Sequence, residues 1–93
     1  MMTMKMVNAI ANAIVMGMDF DTAVAVVKSF TDDFDVVVPD GVNFGVITVG
    51  NIYGNSVTIG FGDDDRVDDV DVSDGDWDWG NSIFSFYQIT LAI

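Results

Sequence analysis

The apolar residues of this 93-residue chain change their spacing near Thr31, and that change sets the order of its secondary structure. Before Thr31 they recur every three or four residues, which is typical of helices with one buried face. After Thr31 they alternate with polar residues, which is typical of strands with one buried face. The sequence therefore predicts helices followed by an antiparallel sheet, an α+β arrangement.

Two helices are predicted before the change of period. The first spans residues 3–16 and ends at Gly17, and its apolar face comprises Met6, Ile10, Ala13 and Ile14. The second runs from Thr22 to Phe30, after Asp19 or Asp21, whose carboxylate can accept a free backbone N–H. Its apolar face comprises Phe20, Ala23, Val24, Val27 and Phe30. Because the link between them is short, the helices are expected to form a hairpin packed on the sheet.

The strand region opens with a short β-branched run and a turn. The run covers residues 34–38 and ends at Pro39-Asp40-Gly41. Two longer segments, Phe44–Tyr53 and Ser56–Phe61, then flank Gly54-Asn55. A glycine at the first central position predicts a hairpin closed by a two-residue turn.

The register of this hairpin follows from its turn, because closing on Gly54-Asn55 pairs Tyr53 with Ser56 and Ile52 with Val57. One face then carries the apolar side chains Phe44, Val46, Ile52, Val57, Ile59 and Phe61. The other face carries Asn51, Tyr53, Ser56 and Thr58. This separation of apolar from polar side chains favours the assignment.

A similar sequence of residues recurs later in the chain. The segment Tyr53–Val57 is echoed by Trp79–Ile83, which predicts a second hairpin leading into a final strand, Ser82–Ile93. The whole chain is then expected to be one domain, residues 1–93, with a helical hairpin at about 3–30. An antiparallel meander of four or five strands would occupy about 34–93.

Between the two predicted hairpins lies a dense cluster of charge, nine aspartates within sixteen residues. They are Asp63, Asp64, Asp65, Asp68, Asp69, Asp71, Asp74, Asp76 and Asp78. The first three predict a loop. Asp69 and Asp71 alternate with valines, and the last two alternate with Trp77 and Trp79, which is a strand-like pattern. An acidic strand near the edge of the sheet, with exposed carboxylates on one face, is expected.

The composition excludes several classes of function. The net charge is −12, with three Lys or Arg residues and neither cysteine nor histidine. Disulfides, thiol nucleophiles, Cys/His zinc sites and histidine catalysis are therefore excluded. Nucleic acid and anionic membranes would be repelled. The N-terminal apolar run is interrupted by Asn8 and Asn12 and is too short to span a bilayer, so a structural helix is expected there.

The aspartates do not match an established metal or catalytic motif. An EF-hand loop with Gly75 at its sixth position would place Val72 at its third, and the chain has no glutamate. An irregular calcium site using Asp63–Asp65 or Asp74 stays open. The Gly60–Gly62 segment lacks the third glycine of a nucleotide fingerprint. No catalysis, cofactor or resident metal is expected.

A row of carboxylates on a strand can imitate the charge of nucleic acid. Alternate residues lie about 6.6 Å apart along a strand, whereas one strand of B-DNA carries a phosphate every ~3.4 Å of its axis. Two neighbouring rows, or one row together with the Asp63–Asp65 loop, approach that density. Trp77 and Trp79 would then be anchors at the rim, or would pack within the sheet.

In its size, its charge and its Asp63–Asp78 cluster, the chain resembles the DNA-mimic inhibitors of phages, the anti-CRISPR and anti-restriction proteins. The resemblance implies a non-catalytic phage protein in the cytoplasm of the host cell. It would block a basic DNA-binding surface of a CRISPR effector or restriction complex, with the nine clustered aspartates as its contact residues. The alternative is a calcium-binding or charge-solubilised structural module, such as a virion component or a halophilic protein. Halophilic adaptation, however, predicts dispersed acids, and residues 41–62 carry none.

Overall fold

A computed structural model describes residues 2–51 and 54–74 of the chain. These residues form two helices followed by four strands, which confirms the predicted α+β class. In chain order the elements are α1 (Met4–Ala13), α2 (Phe20–Phe30), β1 (Phe34–Val37), β2 (Val46–Gly50), β3 (Ser56–Phe61) and β4 (Val67–Ser73). The predicted second hairpin and the final strand, 82–93, lie outside the described residues.

The four described strands form one antiparallel sheet in the order β1-β2-β3-β4. Every residue of β3 is buried. The helices pack on one face of the sheet. The core between the two layers comprises Val7, Ile10, Ile14, Ala23 and Val27 from the helical segment with Ile47, Val49, Val57, Ile59, Phe61 and Val67 from the sheet. Burial of this apolar surface is the main force that holds the helices to the sheet.

Both helices begin at a side-chain cap. The Thr3 hydroxyl accepts the Met6 N–H at 3.1 Å at the start of α1. The Asp19 carboxylate accepts the Thr22 N–H at 2.7 Å, so Asp19 is the cap of α2, one of the two residues predicted for that role. The structure corrects the boundaries, since α1 ends at Ala13 and α2 already begins at Phe20.

The buried faces of the helices differ in part from the prediction. In α1 the buried side chains are Val7 and Ile10, whereas Met6 is exposed. In α2 Ala23 and Val27 are buried, whereas Phe30 at the end of the helix is exposed. Ile10 and Ile14 are buried as predicted, so the helical period was correct, but Val7 takes the buried place that was predicted for Met6.

The predicted register of the β2–β3 hairpin is wrong. Val49, not Ile52, lies opposite Val57, and Gly50 lies opposite Ser56, so the connection is longer than two residues. The shift of three residues is odd, and an odd shift exchanges the faces of a strand. Val46 therefore lies opposite Gly60 on the face away from the helices, while the core receives side chains from Ile47 and Val49. Phe44 precedes β2 and is exposed.

Gly50 explains why β2 ends before the predicted turn. Its backbone adopts a φ of +80°, and a Cβ at this position would collide with the carbonyl oxygen of Asn55. Only glycine combines this left-handed backbone with so close an approach. The strand therefore leaves the ladder at Gly50, and the chain crosses to β3 through residues 51–55.

We predict that Gly50→Ala destabilises the fold more than Gly41→Ala does. Gly41 also has a positive φ, +87°, but no atom lies within 4 Å of a Cβ built there. Gly41→Ala should therefore cost only the backbone strain, about 1–2 kcal/mol. Gly50→Ala should cost that strain and the collision with Asn55. Urea denaturation of both variants measures the difference, and equal free energies of unfolding would contradict the account of this turn.

Candidate functional site

The first three clustered aspartates lie in a tight loop between β3 and β4, as predicted. Gly62 donates its N–H to the carbonyl of Arg66 at 3.0 Å, and Asp65 donates its own to the carbonyl of Gly62 at 3.1 Å. The Asp64 carboxylate accepts the Arg66 N–H at 3.1 Å. Asp65 has a φ of 60°, a conformation that aspartate tolerates better than most residues. Asp63, Asp64 and Asp65 are thereby held in exposed positions at the tip.

The link between the helices docks beside this loop. Gly17 donates its N–H to the Val67 carbonyl at 2.9 Å, and Val67 donates to the Met18 carbonyl at 2.8 Å. Asp19 forms an antiparallel bridge with Arg66. The guanidinium of Arg66 also donates from Nη1 to the Gly17 carbonyl at 2.9 Å. We call this set of contacts the link–β4 pairing, and it places the start of α2 against the start of β4.

Phe20 fixes the same end of α2 to the sheet. Its ring lies 5.0 Å from the ring of Phe61, with the two planes at 63°. It also lies over Gly45, where an added Cβ would be 3.1 Å from Phe20 Cδ1 and 3.2 Å from Pro39 Cδ. Phe61 in turn donates its N–H to the Gly45 carbonyl at 3.0 Å. The start of α2, the β1–β2 loop and the end of β3 are thus packed together.

Asp40 organises the β1–β2 loop. One carboxylate oxygen accepts the N–H groups of Val42 at 2.9 Å and Asn43 at 2.7 Å, and the other accepts the Asn43 side-chain amide at 3.2 Å. These bonds, first that from the Asn43 backbone and then that from Val42, lower the pKa of Asp40. Across a small cleft of about 70 Å³, the loop faces Asp63 and Asp65.

An open groove of about 630 Å³ lies between the start of α2, the end of β1 and the β3–β4 loop. Its lining residues are Asp19, Phe20, Asp21, Thr22, Val38, Pro39, Asp64, Asp65 and Arg66. We call it the acidic groove, because four carboxylates share it with a single guanidinium. Hydrogen bonds from Thr22 lower the pKa of Asp19, and the charge of Arg66 adds a smaller effect in the same direction.

Asp69 and Asp71 lie on β4 and alternate with Val70 and Val72, as predicted. Both aspartates are only partly exposed, which corrects the expected row of fully exposed carboxylates. Burial raises the pKa of Asp69, with a smaller contribution from Asp68, and it raises the pKa of Asp71, with the charge of Asp69 next in size. One oxygen of Asp69, Oδ2, is buried without a hydrogen-bond partner in the described part of the chain.

The remaining clustered aspartates are distributed along β4 and beyond it. Asp68 is exposed and lies close to the loop, since a Cβ added at Gly62 would be 3.3 Å from Asp68 Oδ2 and 3.4 Å from Asp64 Oδ1. Asp74 follows Ser73, the last residue of β4. Ser73 pairs with Ser56 at the start of β3, so Asp74 lies at the opposite end of β4 from the Asp63–Asp65 loop. Four predicted contact residues lie outside the described residues, namely Asp76, Trp77, Asp78 and Trp79.

The structure brings together charges that the sequence did not associate. Asp19 and Asp21 were predicted only as candidates for a helix cap, and Asp40 only as part of a turn. The structure gathers Asp19 and Asp21 with Asp63–Asp65 at one end of the sheet. Asp40 lies in the adjoining loop, between Pro39, which lines the acidic groove, and Gly41, which lines the small cleft. We call these six residues the acidic end: Asp19, Asp21, Asp40, Asp63, Asp64 and Asp65.

Within residues 2–51 and 54–74, no group of three or more potential ligands is close enough to hold a metal ion. The same part of the chain contains no helix that is both long and apolar enough to cross a membrane. Comparison with known proteins found no matching family model, no matching curated protein and no matching solved structure.

We predict that Asp71→Asn stabilises the protein at neutral pH. A carboxyl group whose pKa is raised by folding opposes folding when ionised, and this penalty is complete above its folded pKa. The penalty disappears as the pH falls below the unfolded value, about 3.9. Asp71→Asn should therefore melt at a higher temperature than the native protein at pH 7 and at nearly the same temperature at pH 3.

Asp35→Asn, at an exposed position on β1, controls for the loss of one negative charge. Its effect at pH 7 should be smaller than that of Asp71→Asn. If Asp71→Asn lowers the melting temperature at pH 7, burial of the Asp71 carboxylate is not the source of the penalty.

Proposed function

We propose that this is a non-catalytic binding protein whose acidic end docks on a basic, nucleic-acid-binding surface of another protein. The observation that supports it is that aspartates at the start of α2 and in the β3–β4 loop line one groove, beside the β1–β2 loop that Asp40 orders. Like charges gathered in this way repel one another and oppose folding. A basic partner would convert that repulsion into attraction, because its Arg and Lys side chains form charge-assisted hydrogen bonds with carboxylates.

Three of these carboxylates are held in fixed orientations by backbone donors. Asp19 accepts the N–H of Thr22, Asp40 accepts those of Val42 and Asn43, and Asp64 accepts that of Arg66. A group fixed before binding loses less conformational entropy when the partner arrives. The pKa values of Asp19 and Asp40 are both lowered, which favours the charged form of each carboxyl group.

The acidic end supports mimicry of nucleic-acid charge better than β4 does. Asp69 and Asp71 are partly buried and their pKa values are raised, so they are less available as solvated anions. The exposed Asp63–Asp65 loop, in contrast, lies beside two further acids of the groove, Asp19 and Asp21. We therefore place the main contact at the acidic end, with Asp68 and the β4 aspartates adjoining it.

For the identity of the target we rely on the resemblance drawn from size and charge. The proposed partner is a Cas effector or restriction complex in the cytoplasm of a host cell infected by a phage. The protein would bind its target stoichiometrically and occupy the DNA channel of that target, without itself binding nucleic acid. The small number of Lys and Arg residues supports the absence of direct nucleic-acid binding.

The test is competition for DNA, with duplex DNA bound to a panel of Cas effector and restriction complexes. The native protein should displace DNA from its target. The triple variant Asp21→Asn, Asp63→Asn and Asp65→Asn should be weaker by about tenfold or more, because it removes three exposed charges. The side chains of these residues form none of the hydrogen bonds described above, and asparagine suits the left-handed backbone of Asp65.

The matched control adds the same three units of charge elsewhere, through Asn8→Lys, Ala9→Lys and Asn12→Lys on the exposed side of α1. This variant should displace DNA as the native protein does. If the two triple variants lose activity equally, only net charge matters and the acidic end is not the contact surface. If the native protein displaces DNA from none of the complexes, the proposed target class is wrong.

A further inference from the structure

β1 lies at one edge of the described sheet, with β2 on its other side. Gly50 donates its N–H to the Asp33 carbonyl at 3.0 Å, which identifies Asp33 as a residue whose backbone faces β2. Because the direction alternates along an antiparallel strand, the backbone groups of Asp35 and Val37 also face β2. Those of Val36 face outward, and none of the described strands pairs with them.

The same edge is apolar. Val36 is 41% exposed, Val37 49% and Val38 61%. Val36 points toward the helical side of the sheet, where its neighbour Ile47 is completely buried. Among the described residues, the helical layer therefore covers β2 and Phe34 of β1 but leaves Val36 partly exposed. A further strand added beside β1 would cover these valines and pair with the backbone groups of Val36, which no described strand occupies.

The charges around β1 indicate which kind of segment can pair with it. Asp32, Asp33 and Asp35 are exposed along β1 and just before it. A second copy of the chain would bring the same aspartates against themselves, and like charges on adjacent strands are destabilising. A segment with Lys or Arg opposite Asp35 and an apolar residue opposite Val36 would instead complement both features of the edge.

We infer that β1 is a docking edge for an extended segment of a partner protein in which basic and apolar residues alternate. Recognition would use strand addition, in which main-chain hydrogen bonds supply affinity and alternate side chains supply specificity. Val38 lines the acidic groove, so a strand added along β1 leads directly to it. The inference deepens the proposed function, on which it rests for the identity of the partner.

A capped peptide of alternating lysine and valine, six residues long, serves as the probe. Its titration into the isotopically labelled full-length protein should shift the amide resonances of β1 and slow hydrogen exchange at the Val36 amide. Val36→Pro removes the outward N–H of residue 36 without removing a hydrogen bond to β2. It should lower the affinity for the peptide by about fivefold, the equivalent of one hydrogen bond. Asp35→Lys should weaken it by a similar factor.

Two controls keep the test decisive. Asn8→Lys with Asn12→Lys adds as much positive charge as Asp35→Lys, but on α1, and should change the affinity less than twofold. A peptide N-methylated along one edge cannot complete the main-chain pairing and should bind less tightly to the native protein. This second control requires no change to β1, so it holds even if Val36→Pro disturbs the strand.

Three results would overturn the inference: peptide shifts confined to residues 19–22 and 63–66, equal binding of the N-methylated peptide, or self-association that protects Val36 before peptide is added. The last would make a second copy the occupant. Because the probe is a peptide and not a DNA-binding complex, these results leave the proposed function standing. Conversely, failure of DNA competition alone would leave the docking edge intact.

Discussion

The arrangement of this protein depends on the link–β4 pairing. Reciprocal hydrogen bonds join Gly17 and Met18 to Val67, and Arg66 adds a charged donor to the Gly17 carbonyl. This short pairing joins the helical layer to the sheet at one end, so it also determines where α2 begins. Because Asp19 caps α2 and Asp21 lies in its first turn, the same contacts bring these two acids beside those of the β3–β4 loop. The self-repelling charge is thereby held together by backbone geometry and by Arg66, which lies within it.

Much of the fold could be predicted because its signals are local. The change of period near Thr31, a helix cap at Asp19 or Asp21, and the alternation of Asp69 and Asp71 with valines each depend on a few adjacent residues. The register of the β2–β3 hairpin could not be predicted in the same way. Gly54-Asn55 was the stronger turn signal, but the strand ends at Gly50, whose constraint is the approach of Asn55 in the folded chain. The acidic end was missed for a similar reason, since no local pattern joins Asp21 to residues 63–65.

Three aspartates of the acidic end each have a local structural role. Asp19 caps a helix, Asp40 orders a loop and Asp64 binds a backbone N–H, so each has a structural reason to be an aspartate. Those reasons do not require the three segments to meet. Their meeting concentrates negative charge around an open groove that also exposes the apolar residues Val38 and Pro39. Carboxylates beside accessible apolar surface suit a basic protein partner better than they suit solvent alone. The exposed valines of β1, at the edge of the described sheet, extend that surface.

We propose that the three acidic segments form one binding surface for cationic groups. It is tested most directly by titrating the isotopically labelled protein with tetralysine and following the amide resonances of Asp21, Asn43 and Asp65. We expect all three resonances to shift with a single dissociation constant, and added salt to weaken the binding at all three sites together. Separate dissociation constants for the three segments, or shifts scattered over α1 instead, would contradict it.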